Sequence, residues 1–344
     1  MTDFVHNDGR KMNKARALQV VTLAVILLGV LLLFTACRGA LAPESQQNKA
    51  KGMTIGFVPK ALNQEFWITS KAGATDAGKQ MSDVGVLVDA GSSELAIDEQ
   101  IAVVEDMLTK QVDALAVAPT APDQLQPVLE RASKQVPVLI IDSDIPSWDG
   151  KTTYIGTDNV EGGRVAGEYI IDQMNGSGTL ALINGIPGAT SGEDRIAGVK
   201  DAVKGTDIEV VAEVAADFAR AEGVSAMEDI LQNNPDVNAV FAANDEMALG
   251  ALEALKARGK TEDVLLVGYD GTEEATQVVL KDQGIDATVA QDPYEMGKVG
   301  VEEAVAAAKG QSVKKTINTG VTLVTAKNAK SYLKEYRARL GEGS

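Results

Sequence analysis

Short apolar runs alternate with longer amphipathic stretches along almost the whole chain. Residues 53–58, 84–88, 114–118 and 136–141 are too brief for helices, and their apolar character predicts strands buried on both faces of a sheet. Between them, apolar positions recur at helical spacing near 66–82, 95–110 and 123–134. A short segment at 154–158 introduces a helix near 160–174, and after Asn175-Gly176-Ser177-Gly178 the alternation starts afresh. Strands are then expected at 180–183, 208–214, 239–243 and 264–267, with helices near 192–203, 219–232 and 246–257. One more strand at 287–290, a helix near 294–308, a late strand near 321–324 and a charged C-terminal helix follow. Strict alternation of strand and helix means right-handed βαβ units on parallel sheets. About as many units follow Gly156 as precede it, which predicts an α/β chain of two Rossmann-like lobes with parallel sheets.

The polar residues that end the apolar runs carry the chemistry. Asp142, Asn244, Asp270 and Gln291 each follow a strand at its C-terminal end, the edge where open α/β sheets bind ligands. A lone Asp or Asn at such a place is as readily a helix N-cap. Four together, joined by Arg195 and the aromatics Phe66, Trp67 and Phe218, form a set suited to a polyol. Hydroxyl groups both donate and accept, so they call for carboxylates, amides and a guanidinium in a desolvated cleft, at about 1.5–3 kcal/mol per charge-assisted bond. The C–H faces of a sugar ring call for flat aromatic surfaces, and the chain has few aromatics to spare. The bland alternative for Phe66-Trp67 is packing at the start of a helix.

Composition narrows the classes. The formal charge is −17, which suits no nucleic-acid groove, because phosphate binding needs clustered Lys and Arg. At the N-terminus, Lys11, Lys14 and Arg16 precede an apolar run at 18–34, then Thr35-Ala36-Cys37 and a polar stretch, the layout of an export signal. Leu33-Phe34-Thr35-Ala36-Cys37 resembles the bacterial lipobox, with Phe34 where Leu is usual. Residues 1–36 are therefore expected to be a lipoprotein signal peptide, Cys37 the lipidated residue that anchors the protein to the outer face of the cell membrane, and 37–52 a flexible tether. Met12 is an alternative start. Cleavage would remove His6, the single histidine, and leave Cys37 as the only cysteine. His-dependent triads, Cys nucleophiles and His/Cys zinc sites are then excluded, so no enzyme, cofactor or metal is expected. Gly73–Gln80 fits GxxxxGK without the final Ser or Thr and falls inside a predicted helix, so it is no phosphate loop. The glycines of 162–167 lack GxGxxG spacing and point to close helix packing.

Several blocks of the chain resemble the ribose-type periplasmic sugar-binding proteins, the substrate receptors of ABC importers: Asn244-Asp245-Glu246-Met247-Ala248-Leu249-Gly250-Ala251-Leu252, Val267-Gly268-Tyr269-Asp270-Gly271-Thr272, Leu62-Asn63-Gln64-Glu65-Phe66-Trp67, Ile141-Asp142, Asp158-Asn159, Ala216-Asp217-Phe218 and Ala290-Gln291. The similarity runs from about residue 53 to 327. It implies a periplasmic binding protein type I fold with a three-strand hinge, the chain crossing near 156–158, 291–293 and 320. The N-terminal lobe would be 53–156 plus 292–320, the C-terminal lobe 157–291 plus 321–344. By motif position Phe66 and Trp67 would sandwich a sugar ring with Phe218, while Asp142, Arg195, Asn244, Asp270, Gln291 and the amide of Gln64 would bond its hydroxyls. Two departures leave the choice of sugar open. Ser143, followed by Asp144, stands where ribose binders carry Arg, and Lys60 replaces a small hydroxyl residue. The expectation is that Lys60 supplies the missing positive charge beside Asp142 and Asp144. The implied partners are a monosaccharide and an ABC permease, with the protein monomeric. The alternative is a sensory lipoprotein that presents an autoinducer-2-like signal to a chemoreceptor or sensor kinase.

Overall fold

The computed structural model describes residues 52–341. The expected signal peptide, Cys37 and the tether up to residue 51 lie outside the described residues. Among those described, no helix is long and apolar enough to cross a membrane.

Two six-stranded sheets organise the chain. The first holds β1 (Met53–Val58), β2 (Val84–Val88), β3 (Ala114–Val117), β4 (Val138–Ile141), β5 (Tyr154–Gly156) and β11 (Thr316–Asn318), in the order β11-β5-β4-β3-β1-β2. All its pairings are parallel. The second holds β6 (Ser177–Asn184), β7 (Asp207–Ala215), β8 (Ala239–Ala242), β9 (Leu265–Asp270), β10 (Ala287–Ala290) and β12 (Thr322–Thr325), in the order β12-β10-β9-β8-β6-β7.

Most of the apolar strands are buried on both faces because helices cover both; β2, at the sheet edge, departs from that expectation, with Gly85 and Leu87 exposed. Ile55 and Phe57 of β1, with Ala114 and Ala116 of β3, pack with Ala74 of α1 (Glu65–Gln80) and Met296 of α9 (Pro293–Ala308). Val58, Leu115 and Val117 turn the other way, towards Met107 of α2 (Ile97–Thr109) and Leu129 of α3 (Pro122–Ser133). This is the two-sided burial that short apolar runs imply. The second sheet carries α4 (Asn159–Gln173), α5 (Thr190–Val203), α6 (Arg220–Asn233), α7 (Asp245–Arg258), α8 (Glu273–Leu280) and α10 (Ala329–Arg339) around one continuous apolar core.

Gly163 and Gly167 do serve close helix packing, while Gly162 makes room for the Tyr269 side chain of β9. A Cβ on Gly163 would stand 2.0 Å from the Arg195 carbonyl oxygen, and one on Gly198 would stand 2.1 Å from that of Val160. Helices α4 and α5 thus touch backbone to backbone, which fixes the stretch of α5 that bears Arg195. Residues 73–80 lie within α1, away from any strand-to-helix turn.

Three features depart from the reading by pattern. Strand β12 runs antiparallel to β10, so the second sheet is not purely parallel. Helix α8 spans only eight residues, and its Val278-Val279 pair weakens a helical signal. Strand β11 is three residues with both ends exposed, too short to show as an apolar run.

The chain passes between the sheets three times: after β5, between β10 and α9, and between β11 and β12. The crossings are stitched to each other. Thr157 Oγ1 donates to Gln291 Oε1 (2.7 Å), Thr319 N to Gly156 O (2.9 Å), and Asp158 N to Asn318 Oδ1 (3.4 Å).

Candidate functional site

Strand ends from both sheets meet in one place. Asp142 follows β4, Asn244 follows β8, Asp270 ends β9 and Gln291 follows β10, while Phe66 and Trp67 occupy the first turn of α1. With Lys60, Gln64, Glu94, Ser191, Arg195 and Phe218 they line a single cavity. Its volume is ≈ 20 Å³, about the room one water needs. A larger cavity of ≈ 280 Å³ lies beside the crossings and α10, but the strand-end carboxylates do not converge there. Chemistry rather than size therefore picks out the smaller one.

Four of the eight non-glycine residues with positive φ among the described residues lie in or next to the wall of this cavity. Asp142 (φ 64°), Asp217 (φ 50°), Phe218 (φ 57°) and Asp270 (φ 118°) all hold positive φ without being glycine. Each such residue costs on the order of 1–3 kcal/mol and persists where the surroundings dictate it, commonly at binding sites.

Charge pairing is dense. Lys60 Nζ lies 2.9 Å from Asp142 Oδ2 and donates to Ser143 Oγ at 2.8 Å. Ser143 does not line the cavity, yet its Oγ stands 2.9 Å from Asp142 Oδ2 and 3.0 Å from Ser191 Oγ of the second lobe. Burial acts to raise the Asp142 carboxyl, but Lys60 and Arg195 outweigh it and hold the group below its ordinary range. Asp144 is not part of this pairing. It faces Lys151 at 2.9 Å, so the expectation that Lys60 serves both carboxylates is corrected: Lys60 serves Asp142, because a nearer lysine already neutralises Asp144.

Arg195 is the hub of the second lobe. Its Nε donates to Asn159 Oδ1 (2.9 Å) and its Nη1 to the Ala243 carbonyl (2.8 Å). The guanidinium lies 3.5 Å from Asp270 and 3.9 Å from Asp142, and its central carbon sits 4.0 Å from the Tyr269 ring centre. Asp270 also accepts from Gln291 Nε2 at 2.7 Å. Burial pushes the Asp270 carboxyl well up, with Arg195 acting against it.

The amides are committed too. Asn244 caps α7 by accepting from Met247 N (2.9 Å), and its Nδ2 donates to Phe218 O (3.1 Å). It is both an N-cap and a cavity wall. Gln64 Nε2 reaches across the cleft to the same Phe218 carbonyl at 3.3 Å. The rings do not form parallel plates: Phe66 meets Trp67 edge-on, with centres 4.8 Å apart at 81°. The Lys60 ammonium lies 5.4 Å from the Trp67 ring centre and 5.5 Å from that of Phe218, within cation–π range of both.

Every residue singled out from the sequence for this site thus lines the cavity or, for Ser143, bonds to one that does. Pattern reasoning missed Glu94, which sits on a loop between β2 and α2, and Ser191 in the first turn of α5. Neither follows an apolar run, so strand-end logic could not find them. The one available hint for Glu94 was that a buried indole N–H needs an acceptor.

Comparisons with known proteins agree with this fold. A family model described as "Periplasmic binding protein domain" matches residues 55–312. The ribose import binding protein RbsB of Bacillus subtilis is 37% identical over 309 residues, covering 88% of this chain and 98% of that protein. A carbohydrate transporter solute-binding protein from Agrobacterium radiobacter, solved with D-arabinose, superposes with a TM-score of 0.77 at 31% identity, over 85% of this chain and 99% of that one. An ABC transporter solute-binding protein from Bacillus halodurans C-125, solved with myo-inositol, gives a TM-score of 0.77 at 29% identity, over 83% and 99%.

Proposed function

The chain belongs to the periplasmic binding protein family, on its ribose-type sugar-binding branch, and we propose that it captures a monosaccharide or a closely related polyol between its lobes and hands it to an ABC permease. It is a binding protein, not an enzyme. The observation that carries the reading is that Asp142 and Asp270, from the strand ends of different sheets, both lie within 4 Å of the Arg195 guanidinium, at 3.9 and 3.5 Å. A hydroxyl-rich guest can exchange hydrogen bonds with each of them while its C–H faces meet Phe66, Trp67 and Phe218. Lys60, Gln64, Ser143, Asn244 and Gln291 complete the ligand set, Ser143 acting through Lys60. Lys60 supplies the positive charge beside Asp142 on the first-lobe side.

With the lobes together the cavity has room for about one water. Entry of a sugar therefore requires the two bodies, 53–156 with 292–320 and 157–291 with 321–344, to part about the crossings. Closing on the guest then creates the surface a permease can recognise. The lipobox-like Cys37 supports a lipid anchor on the outer face of the cell membrane, checked by finding diacylglyceryl on Cys37 in the membrane fraction by mass spectrometry. Titration calorimetry against D-ribose, D-allose, D-arabinose and myo-inositol tests the central reading. Saturable heat with at least one is expected, and heat with none of these or other free sugars would overturn it.

A further inference from the structure

The loop between β2 and α2 buries the wrong residue for mere packing. Leu95 is 57% exposed, whereas its neighbour Glu94 is 7% exposed. Burying a carboxylate is costly unless it is paired and hydrogen-bonded, and exposing a leucine forgoes hydrophobic gain. The loop is built to hold this arrangement: Ser92 N donates to Glu99 Oε2 (2.7 Å) and Ala96 N to Ser93 O (3.1 Å). Glu94 makes no ion pair among the described residues. Its bond is from the neutral Trp67 Nε1–H to Oε1, at 2.6 Å.

Anchoring an indole does not require a charge; a glutamine or a carbonyl would accept the same hydrogen. A carboxylate offers about four lone-pair positions, and the indole takes one. The other cavity carboxylates are already engaged, Asp142 by Lys60 and Ser143, Asp270 by Gln291 and Arg195. Glu94 therefore holds the largest unspent acceptor capacity in the cavity wall, at the end occupied by Trp67.

We propose that Glu94 is a specificity-determining residue: it accepts a hydrogen bond from a hydroxyl on the edge of the sugar next to Trp67 and so selects ligands that carry a donor there. Burial raises the Glu94 carboxyl, tempered first by Lys60, which suits a group waiting for a donor from its guest. The proposal rests on the sugar-capture reading and adds to it which end of the ligand is read.

The test takes the tightest-binding sugar of the panel and its monodeoxy analogues, titrated into the full chain and into Glu94→Gln. Glutamine keeps an oxygen for the indole and replaces the remaining acceptor with a donor. The wild type should bind one deoxy analogue about 30-fold or more weaker than the parent, in line with a charge-assisted bond. Glu94→Gln should lose about that factor for the parent and bind that analogue within about threefold of wild type. Trp67→Phe, which removes the indole N–H together with part of the ring face, should weaken all analogues alike. Uniform loss across analogues in Glu94→Gln, no loss at all, or the selective pattern appearing in Trp67→Phe would overturn the proposal while leaving sugar capture intact. Absence of sugar binding by the wild type would remove both. If thermal melts show Glu94→Gln unfolded, Glu94→Asp, with its shorter reach, carries the same selective expectation, and uniform loss again overturns it.

Discussion

Lys60 and Asp142 meet at 2.9 Å, both nearly inaccessible to solvent, although they come from different strand ends of the first sheet. A buried pair broken on one side leaves an uncompensated charge, at a cost of about 3–5 kcal/mol. Asp142 retains Arg195 at 3.9 Å and Ser143 Oγ at 2.9 Å, which places the cost at the lower end. Lys60→Met should therefore lower unfolding free energy by about 3 kcal/mol in urea titrations. It should also weaken sugar binding by well over tenfold by calorimetry; unchanged affinity would show that Lys60 does not contribute to the site.

Arg195→Lys separates shape from charge. Lysine cannot bond Asn159 and Ala243 from a planar fork while lying over the Tyr269 ring. Affinity should fall by about 10- to 100-fold, as a displaced cation loses its charge-assisted bond to the guest. Retention of near-native affinity would mean that net charge alone suffices.

Outside the cavity, Tyr336 Oη on α10 donates to Glu65 Oε1 at 2.7 Å and lies 2.8 Å from Thr69 Oγ1, both on α1. The N–H of Glu273, at the start of α8, reaches the same Glu65 oxygen. These bonds join helices of opposite lobes and form only when the lobes are together. Tyr336→Phe should raise the dissociation constant about three- to tenfold, chiefly through faster release. Small-angle scattering of the ligand-free variant should show a larger radius of gyration, and an unchanged radius would count against the latch.

Asp245 is fully buried at the start of α7 and accepts from Thr272 N (2.8 Å), Thr272 Oγ1 (3.0 Å) and Thr288 Oγ1 (2.8 Å). Burial pushes its carboxyl from 3.8 up to about 7 in spite of those donors. Between these values the folded state keeps a proton that the unfolded chain has released, so stability falls as pH rises through the window. Asp142, held below its ordinary 3.8, has the opposite sign, but only at lower pH. The ligand-free protein should unfold at a higher urea concentration at pH 5.5 than at pH 8. Asp245→Asn should flatten that slope, with Glu94 and Asp270, both raised, retaining part of it.

Gly163→Ala places a methyl where only 2.0 Å separates the ideal Cβ from the Arg195 carbonyl oxygen. Overpacking of this kind costs about 1–3 kcal/mol. Because the displaced backbone is that of Arg195 itself, sugar affinity should drop together with the melting temperature. A variant that loses stability alone would show that α5 yields elsewhere.

Much of the architecture was legible because the central strands are buried on both faces and so appear as unbroken apolar runs. The site was legible for the same reason: Asp142, Asn244, Asp270 and Gln291 interrupt those runs where they stop. What escaped notice has a physical explanation in each case. Strand β11 draws its place from pairing with β5 rather than from its own hydrophobicity. Helix α8 is short and carries two adjacent valines. The antiparallel setting of β12 follows from the return crossing, which no local pattern encodes. Asp144 looked equivalent to Asp142, and only the distance to Lys151 tells them apart.

The first sheet is completed by β11, and its inner core by α9, both contributed from beyond the whole second-sheet βα series. During synthesis, residues 53–156 accordingly emerge with an open strand edge and an apolar face that α1 covers only in part until α9 is made. That half must wait for residue 318 before it can close. A chaperone or an export machine is given a long interval in which the polypeptide is still slack enough to thread.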